Sequence, residues 1–282
     1  MYLLNLKRLW LLTGRHWFEN RKTYLLFFLA LAAFLLGWFS FILAVVQQAR
    51  LFSLSNQITI YFFGLFISGI LSASFLFQDF SGKARTINYL MIPASSLEKL
   101  FCLIFYGVIL FFIGYNVVFY ITDFLSLKVA GAIYTPEWQR VHGYNNYFTF
   151  KQANTFSLDS DMFVFYPGDN IDLYTAFFPI QSCFLLGAFY FRKNGLIKTL
   201  IVLLLVWLVF VVLESRILFS TMPSNSRVAN AFTAYIVPQP DGYDNIITLP
   251  DWIYRTVLFA TRFAITPAIW LATYYRLKEK EL

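Results

Sequence analysis

The chain has 282 residues, of which 59% are hydrophobic, 21% aromatic and only 13% charged. One soluble core cannot bury that much apolar surface, and soluble domains are usually about a quarter charged, so the excess must face lipid. The formal net charge of +7 does not point to nucleic acid, because the Lys and Arg residues fall in short clusters between apolar runs rather than in one patch.

In residues 1–22, Leu3, Leu6, Trp10 and Trp17 recur at helical spacing while Lys7, Arg8, Arg15 and Glu19 take the polar positions. This predicts an amphipathic helix in the inner membrane interface, its Trp rings at headgroup depth. Six apolar segments follow, at 24–46, 58–77, 97–121, 173–191, 196–219 and 252–275. Each is close to the roughly 20 residues that cross about 30 Å of hydrocarbon. Each must be helical, because other backbone leaves N–H and C=O groups unpaired in lipid. The first run is too long for a cleaved signal and meets Gln47 and Gln48 without a small-residue cleavage site, so an uncleaved span is expected. The expected fold class is all-α: a polytopic membrane helical bundle with six transmembrane helices over 23–282, an N-terminal interfacial helix and an outer loop cap.

With the N-terminus inside, the inner segments hold Lys7, Arg8, Arg15, Arg21, Lys22, Lys83, Arg85, Lys99, Arg192, Lys193, Lys198, Arg276, Lys278 and Lys280. The longer outer segments hold Arg50, Lys128, Arg140, Lys151, Arg216, Arg227 and Arg255, with Arg262 inside the last span. The positive-inside rule therefore places both termini in the cytoplasm, in a bacterial inner membrane. Loop 123–172 then lies outside, its Asp and Glu residues interleaved with Tyr134, Trp138, Tyr144, Tyr147, Phe150, Phe156 and other aromatics. That density of aromatics argues against disorder and predicts a packed cap. The second outer loop, 220–251, carries Pro223, Pro238, Pro240, Gly242 and Pro250, which predict turns and short extended pieces.

The turn 78–100 reads QDFSGKARTINYLMIPASSLEKL, where Pro93 disfavours helix at Ile92 and a new helix start follows. Ser95 and Glu98 have the spacing of a capping box, in which each side chain bonds the other residue's backbone N–H. By itself this is a well-capped helix start at the membrane surface. The layout of an inner amphipathic helix, two spans, a short turn ending in apolar-Pro-Ala-Ser-Ser-x-Glu-Lys, and four more spans resembles the permease subunits of type-2 ATP-binding-cassette exporters, particularly the divergent ones of Bacteroidetes. The resemblance implies that the turn is a coupling helix docking on a separate ATPase subunit, with Arg85, Leu90, Pro93, Ser95, Ser96, Glu98 and Lys99 as its residues. It also implies a homodimer or a heterodimer with a similar permease. The long loop between the third and fourth spans departs from the commoner members, whose outer insertion precedes the last span.

Gly64, Ser68 and Ser72 recur every four residues in the second span, and Ala30, Ala33 and Gly37 line one side of the first. Small residues at this spacing let helix backbones approach closely, either within the chain or across a dimer seam. Gln181, Glu214 and Arg262 are the polar residues inside spans, to be read as structural pairs and snorkelling groups or as substrate and gating contacts. The chain carries no GxxxxGK[ST] phosphate loop, no metal-ligand motif and no nucleophile context, so no cofactor, no metal and no enzymatic activity of its own are expected. Cys102 and Cys183 lie in apolar segments and read as small buried residues. Two functions from different classes remain. One is a permease of an ATP-driven exporter for a hydrophobic, lipid-linked or peptide-like substrate. The other is a non-transporting membrane scaffold or accessory subunit of an envelope complex.

Overall fold

The structure, a computed structural model, describes residues 5–46, 52–81, 89, 91–141, 150–156, 170–191, 194–221, 227–230, 234–238, 244–248, 252, 256 and 259–281. Helix α1 (Leu6–Phe41) continues through a π-helical turn, Ile42–Val46. Next come α2 (Leu54–Ser81), α3 (Ser96–Ile104), a π-helical stretch (Phe105–Leu110) and α4 (Phe111–Ile133). The short α5 (Pro136–Val141), then α6 (Asn170–Tyr190) and α7 (Gly195–Thr221), precede three strands. A π-helical turn (Ala260–Ala264) leads into α8 (Ile265–Glu281).

Among the described residues, 5 helices are long and apolar enough to cross a membrane: Leu6–Val45, Leu54–Ala73, Ser96–Ile133, Leu173–Tyr190 and Gly195–Leu213. They cover the first five expected spans. The sixth, 252–275, is described at Trp252, at Thr256 and from residue 259 onward, where the chain is helical.

Two boundaries differ from the sequence expectation. The interfacial helix and the first span form one continuous helix rather than two pieces, since neither Gly nor Pro occurs between Arg15 and Leu36 to break it. The third span does not end near residue 121 either, because α4 runs on to Ile133, past Gly131, and meets no proline before Pro136. Asp123, expected to open the outer loop, is therefore helical and buried. The described residues are mainly helical, and within 220–251, expected as turns and short extended pieces, three short strands pair as an antiparallel sheet of β1 (Arg227–Asn230), β2 (Ala234–Pro238) and β3 (Asp244–Thr248). Tyr235 pairs with Ile247 in its β2–β3 ladder, and a register shift between Val228 and Asn230 marks β1.

The order of contacts fixes the helix directions. The backbone N–H of Asn5 meets Glu98, Tyr106 donates to the carbonyl of Thr13, and Phe39 packs with Leu127 and Ala130. So α1 and the α3–α4 helix run parallel with their starts aligned, at a "proximal" end. Helices α2 and α6 run back from the distal end: Tyr61 and Tyr174 pack beside Tyr115, whereas Phe189 joins Leu100 and Leu103. A proximal core gathers Ala73, Leu103, Ile104, Phe184, Leu185 and Leu277, and a second core gathers Leu35, Tyr61, Leu65, Phe111, Tyr115 and Phe177. Helix α7 buries little of itself, with Trp207, Phe210 and Leu213 among its exposed residues, as suits a helix solvated by lipid tails.

Close helix approach depends on glycine at several crossings. A Cβ added to Gly64 would lie 2.5 Å from the Tyr115 hydroxyl oxygen, and one at Gly69 would lie 2.7 Å from the Phe177 ring. Gly114 receives the Phe28 ring and Gly187 receives Thr199 in the same way. Ser68 and Ser72 return their hydroxyls to the carbonyls of Gly64 and Gly69 at 2.6 and 2.8 Å. The Gly64, Ser68 and Ser72 stripe is thus used within the chain. Ala30, Ala33 and Gly37 lie on exposed positions of α1.

Candidate functional site

The proximal corner is built around α3, whose first turn carries its own cap. Ser95 is extended, at φ −69° and ψ 154°, and its hydroxyl accepts the N–H of Glu98 at 3.3 Å. Glu98 returns the bond, its Oε2 accepting the Ser95 N–H at 2.9 Å, so both halves of the capping box are made. The second carboxylate oxygen turns to α1: it accepts the Asn5 N–H at 2.7 Å and lies 3.4 Å from Arg8 Nη2. Glu98 itself is 0% exposed. Two parallel helix N-termini, each with an excess of positive charge from free N–H groups, therefore share one buried carboxylate. Asn5 caps α1 through its own side chain, which accepts the Lys7 N–H at 3.0 Å.

Below this carboxylate the two helices are joined by apolar and aromatic contacts. Leu12, Cys102 and Tyr106 form a buried cluster on which Ile92 and Ala94 of the turn also pack. The Tyr106 hydroxyl donates to the Thr13 carbonyl at 2.7 Å, and its ring lies 4.5 Å from that of His16. His16 Nε2 and the Tyr24 hydroxyl are 2.9 Å apart, and the Tyr24 and Tyr106 rings stack at 5.6 Å.

The candidate coupling residues separate by exposure. Pro93 is exposed, whereas Ser95 and Ser96 are half-buried; Met91, two residues before Pro93 and not among the expected coupling residues, is 75% exposed. Glu98 and Lys99 are buried, so they hold the corner together and present no surface to a docking protein. Arg85 and Leu90 lie outside the described residues. Sequence reasoning named Glu98 but missed Asn5 and Arg8 as its partners, since no local pattern signals a bond across a separation of 93 residues.

Gln181 lies midway along α6, where that helix faces the π-helical stretch. Its amide donates to the Gly107 carbonyl at 2.9 Å and to Ser72 Oγ at 3.2 Å. A π-helical turn loosens the i→i−4 ladder and leaves a carbonyl able to accept such a side chain. This supports the structural reading of Gln181 as an interhelical bond. A cleft beside it, lined by Tyr24, Phe28, Ser72, Tyr106 and Phe111 among others, has room for about one water molecule. The side chains of Glu214 and Arg262 lie outside the described set.

The distal mouth carries residues that sequence reasoning passed over. An extended segment, 150–156, lies across it as a strap. Gln57, 1% exposed, donates to the carbonyls of Phe52 at 2.9 Å and Lys151 at 3.0 Å, and its oxygen accepts the Ala153 N–H at 2.9 Å. Tyr120 Oη is 2.6 Å from Thr155 Oγ1, and Tyr174 donates to the Thr155 carbonyl at 3.3 Å. Asp123, 1% exposed, sits one helical turn beyond Tyr120, and among the described residues neither of its oxygens has a partner in good hydrogen-bond geometry, the neutral amide of Gln152 being the strap group beside it.

A set of long apolar helices, packed by interhelical hydrogen bonds and glycine crossings and leaving an almost wholly apolar exterior on α7, defines a polytopic helical membrane protein. No known protein family matches the chain, and no curated protein or solved structure matches it.

Proposed function

We propose that this chain is the permease subunit of an ATP-driven exporter in a bacterial inner membrane, with its proximal end in the cytoplasm and its motor a separate ATP-binding-cassette ATPase. The observation that carries the reading is the corner in which buried Glu98 ties the start of α1 to the start of α3. A soluble motor needs a stiff projection joined without slack to helices that cross the membrane. Here the exposed Met91 and Pro93 form the projection, and the transmitting elements are α1 and the 38-residue α3–α4 helix. At 1.5 Å per residue that helix reaches about 57 Å, long enough to carry a tilt from one face to the strap on the other. Pairing with a second copy or a similar permease completes the proposal, since the cleft within one chain is too small for a substrate. A membrane scaffold is the second reading, favoured by the strap that closes the distal mouth.

Affinity purification from native membranes separates the two. The permease reading predicts that a nucleotide-binding protein accompanies the wild-type chain and that Met91→Arg, at an exposed site where folding is untouched, removes it. Recovery of envelope proteins alone, or an ATPase retained equally by Met91→Arg, would count against motor docking at this corner.

A further inference from the structure

The strap is held in the manner of a bound ligand. Residues 152–156 alternate, with Ala153 and Thr155 buried while Gln152, Asn154 and Phe156 are exposed; Lys151 before them is exposed as well. The backbone of Lys151, Ala153 and Thr155 is bonded by side chains from three different helices: Gln57 on α2, Tyr120 on α4 and Tyr174 on α6. Phe156 stacks on Tyr174 at 5.3 Å and Phe150 meets Phe52 edge-on at 6.2 Å, so an aromatic ring anchors each end. Main-chain bonds with alternate side chains seated in pockets are how proteins hold extended peptides. The groove reads little of the strap's sequence beyond two small residues and two flanking rings.

One element of the groove, the buried Asp123 carboxylate, meets only a neutral group of the strap, the side-chain amide of Gln152. Gln152 donates its amide to the Tyr120 carbonyl at 2.8 Å. A helical carbonyl points along the axis toward the next turn, which here carries Asp123. Asp123 lies on the core-facing line of Tyr115, Phe119, Leu127 and Ala130, between two apolar clusters. The cluster that begins with Leu127 on the same line, with Phe39, Ile42 and Phe52 as members, carries no charge, and Lys128 on the same helix sits 5.5 Å over the Phe124 ring. Among the described residues no basic group comes within ion-pairing distance of Asp123, and a carboxylate so placed is costly unless a cation joins it.

We infer that the distal groove is a binding site for an extended peptide bearing a Lys or Arg side chain at the position now held by Gln152, that side chain pairing with Asp123. The strap is its internal occupant, filling the groove with Gln where the better ligand carries a cation. The groove stands whether or not an ATPase docks at the opposite end.

The test has two arms. In the intact chain, Gln152→Lys supplies the missing cation and raises Tm by about 3 °C; Gln152→Met does not, and adding Asp123→Asn cancels the rise. In the second arm the strap is replaced by a Gly-Ser segment of equal length, and two fluorescent peptides are titrated: the 150–156 sequence FKQANTF, and the same peptide with Lys in place of its Gln. The Lys peptide binds about tenfold tighter, and Asp123→Asn removes the preference. An unchanged Tm for Gln152→Lys, a rise that survives Asp123→Asn, or no peptide binding by a folded strap-replaced protein overturns the inference. Where the strap-replaced protein does not fold, the intact-chain cycle decides alone.

Discussion

Glu98→Ala should detach the first turn of α1 from the start of α3 and lower stability by about 3 kcal/mol. The substitution removes the acceptor of two backbone N–H groups, Asn5 and Ser95, and the partner of Arg8 in a single step. It also leaves two adjacent helix N-termini without the negative charge between them. Arg8→Ala should cost less, under about 1 kcal/mol, because its side chain is 39% exposed and water takes over part of its role. Glu98→Gln keeps an acceptor but not the charge, and should recover about half of the loss. Thermal unfolding in detergent reads the ranking. Cys102, buried beside Leu12 and Tyr106, gives a local report: its labelling by a thiol reagent should accelerate in Glu98→Ala and remain slow in Arg8→Ala.

Gly64→Leu should be comparably damaging, at about 2–3 kcal/mol, through overpacking rather than a lost bond. Even a Cβ at this position meets the Tyr115 hydroxyl oxygen at 2.5 Å, and that hydroxyl donates to the Tyr61 carbonyl at 2.6 Å. Tyr115 is fully buried and cannot move aside without disturbing Phe119, with which it stacks. Gly37→Ala is the control on a neighbouring helix. A Cβ there meets nothing within 4 Å, so the change should be neutral or stabilise by up to about 1 kcal/mol through helix propensity. Unfolding curves in one detergent compare the pair. Equal effects at the two glycines would mean that the α2–α4 crossing is not where the close approach matters.

How much of this was legible in the sequence depends on the range over which each interaction acts. The capping box could be read because Ser95 and Glu98 are three residues apart and act through their own backbone. The spans could be read because the hydrocarbon thickness fixes their length. The ends of α1 and α4 could not, because a hydropathy reading stops at the first charge whereas a helix stops at a breaker. Asp123 was accordingly assigned to a loop, and the helix carried it into the core. Gln57, one residue before the expected second span, was passed over as a loop residue. Its partners Lys151 and Ala153 lie more than ninety positions away, and no local spacing announces such a clamp. The sheet in 220–251 was read only as turns and extended pieces, since proline and glycine mark where strands stop rather than which strands pair.

These interactions give the two ends of the molecule different physical characters. At the proximal end one carboxylate welds two helices into a unit; at the distal end a carboxylate with no ion-pair partner among the described residues lies beneath a strap. The α3–α4 helix connects them, carrying Glu98 at its start and Tyr120 and Asp123 toward its far end. On the proposed permease reading, a push on the corner would reach the strap through this helix.

The side of the membrane on which the corner lies tests that reading most directly. With Cys102→Ser and Cys183→Ser as background, Met91→Cys places one thiol at a site that is 75% exposed in the native chain. A membrane-impermeant maleimide should label it in inside-out vesicles and leave it unlabelled in intact cells. Labelling in intact cells would put the corner beyond the reach of any cytoplasmic motor and contradict the account.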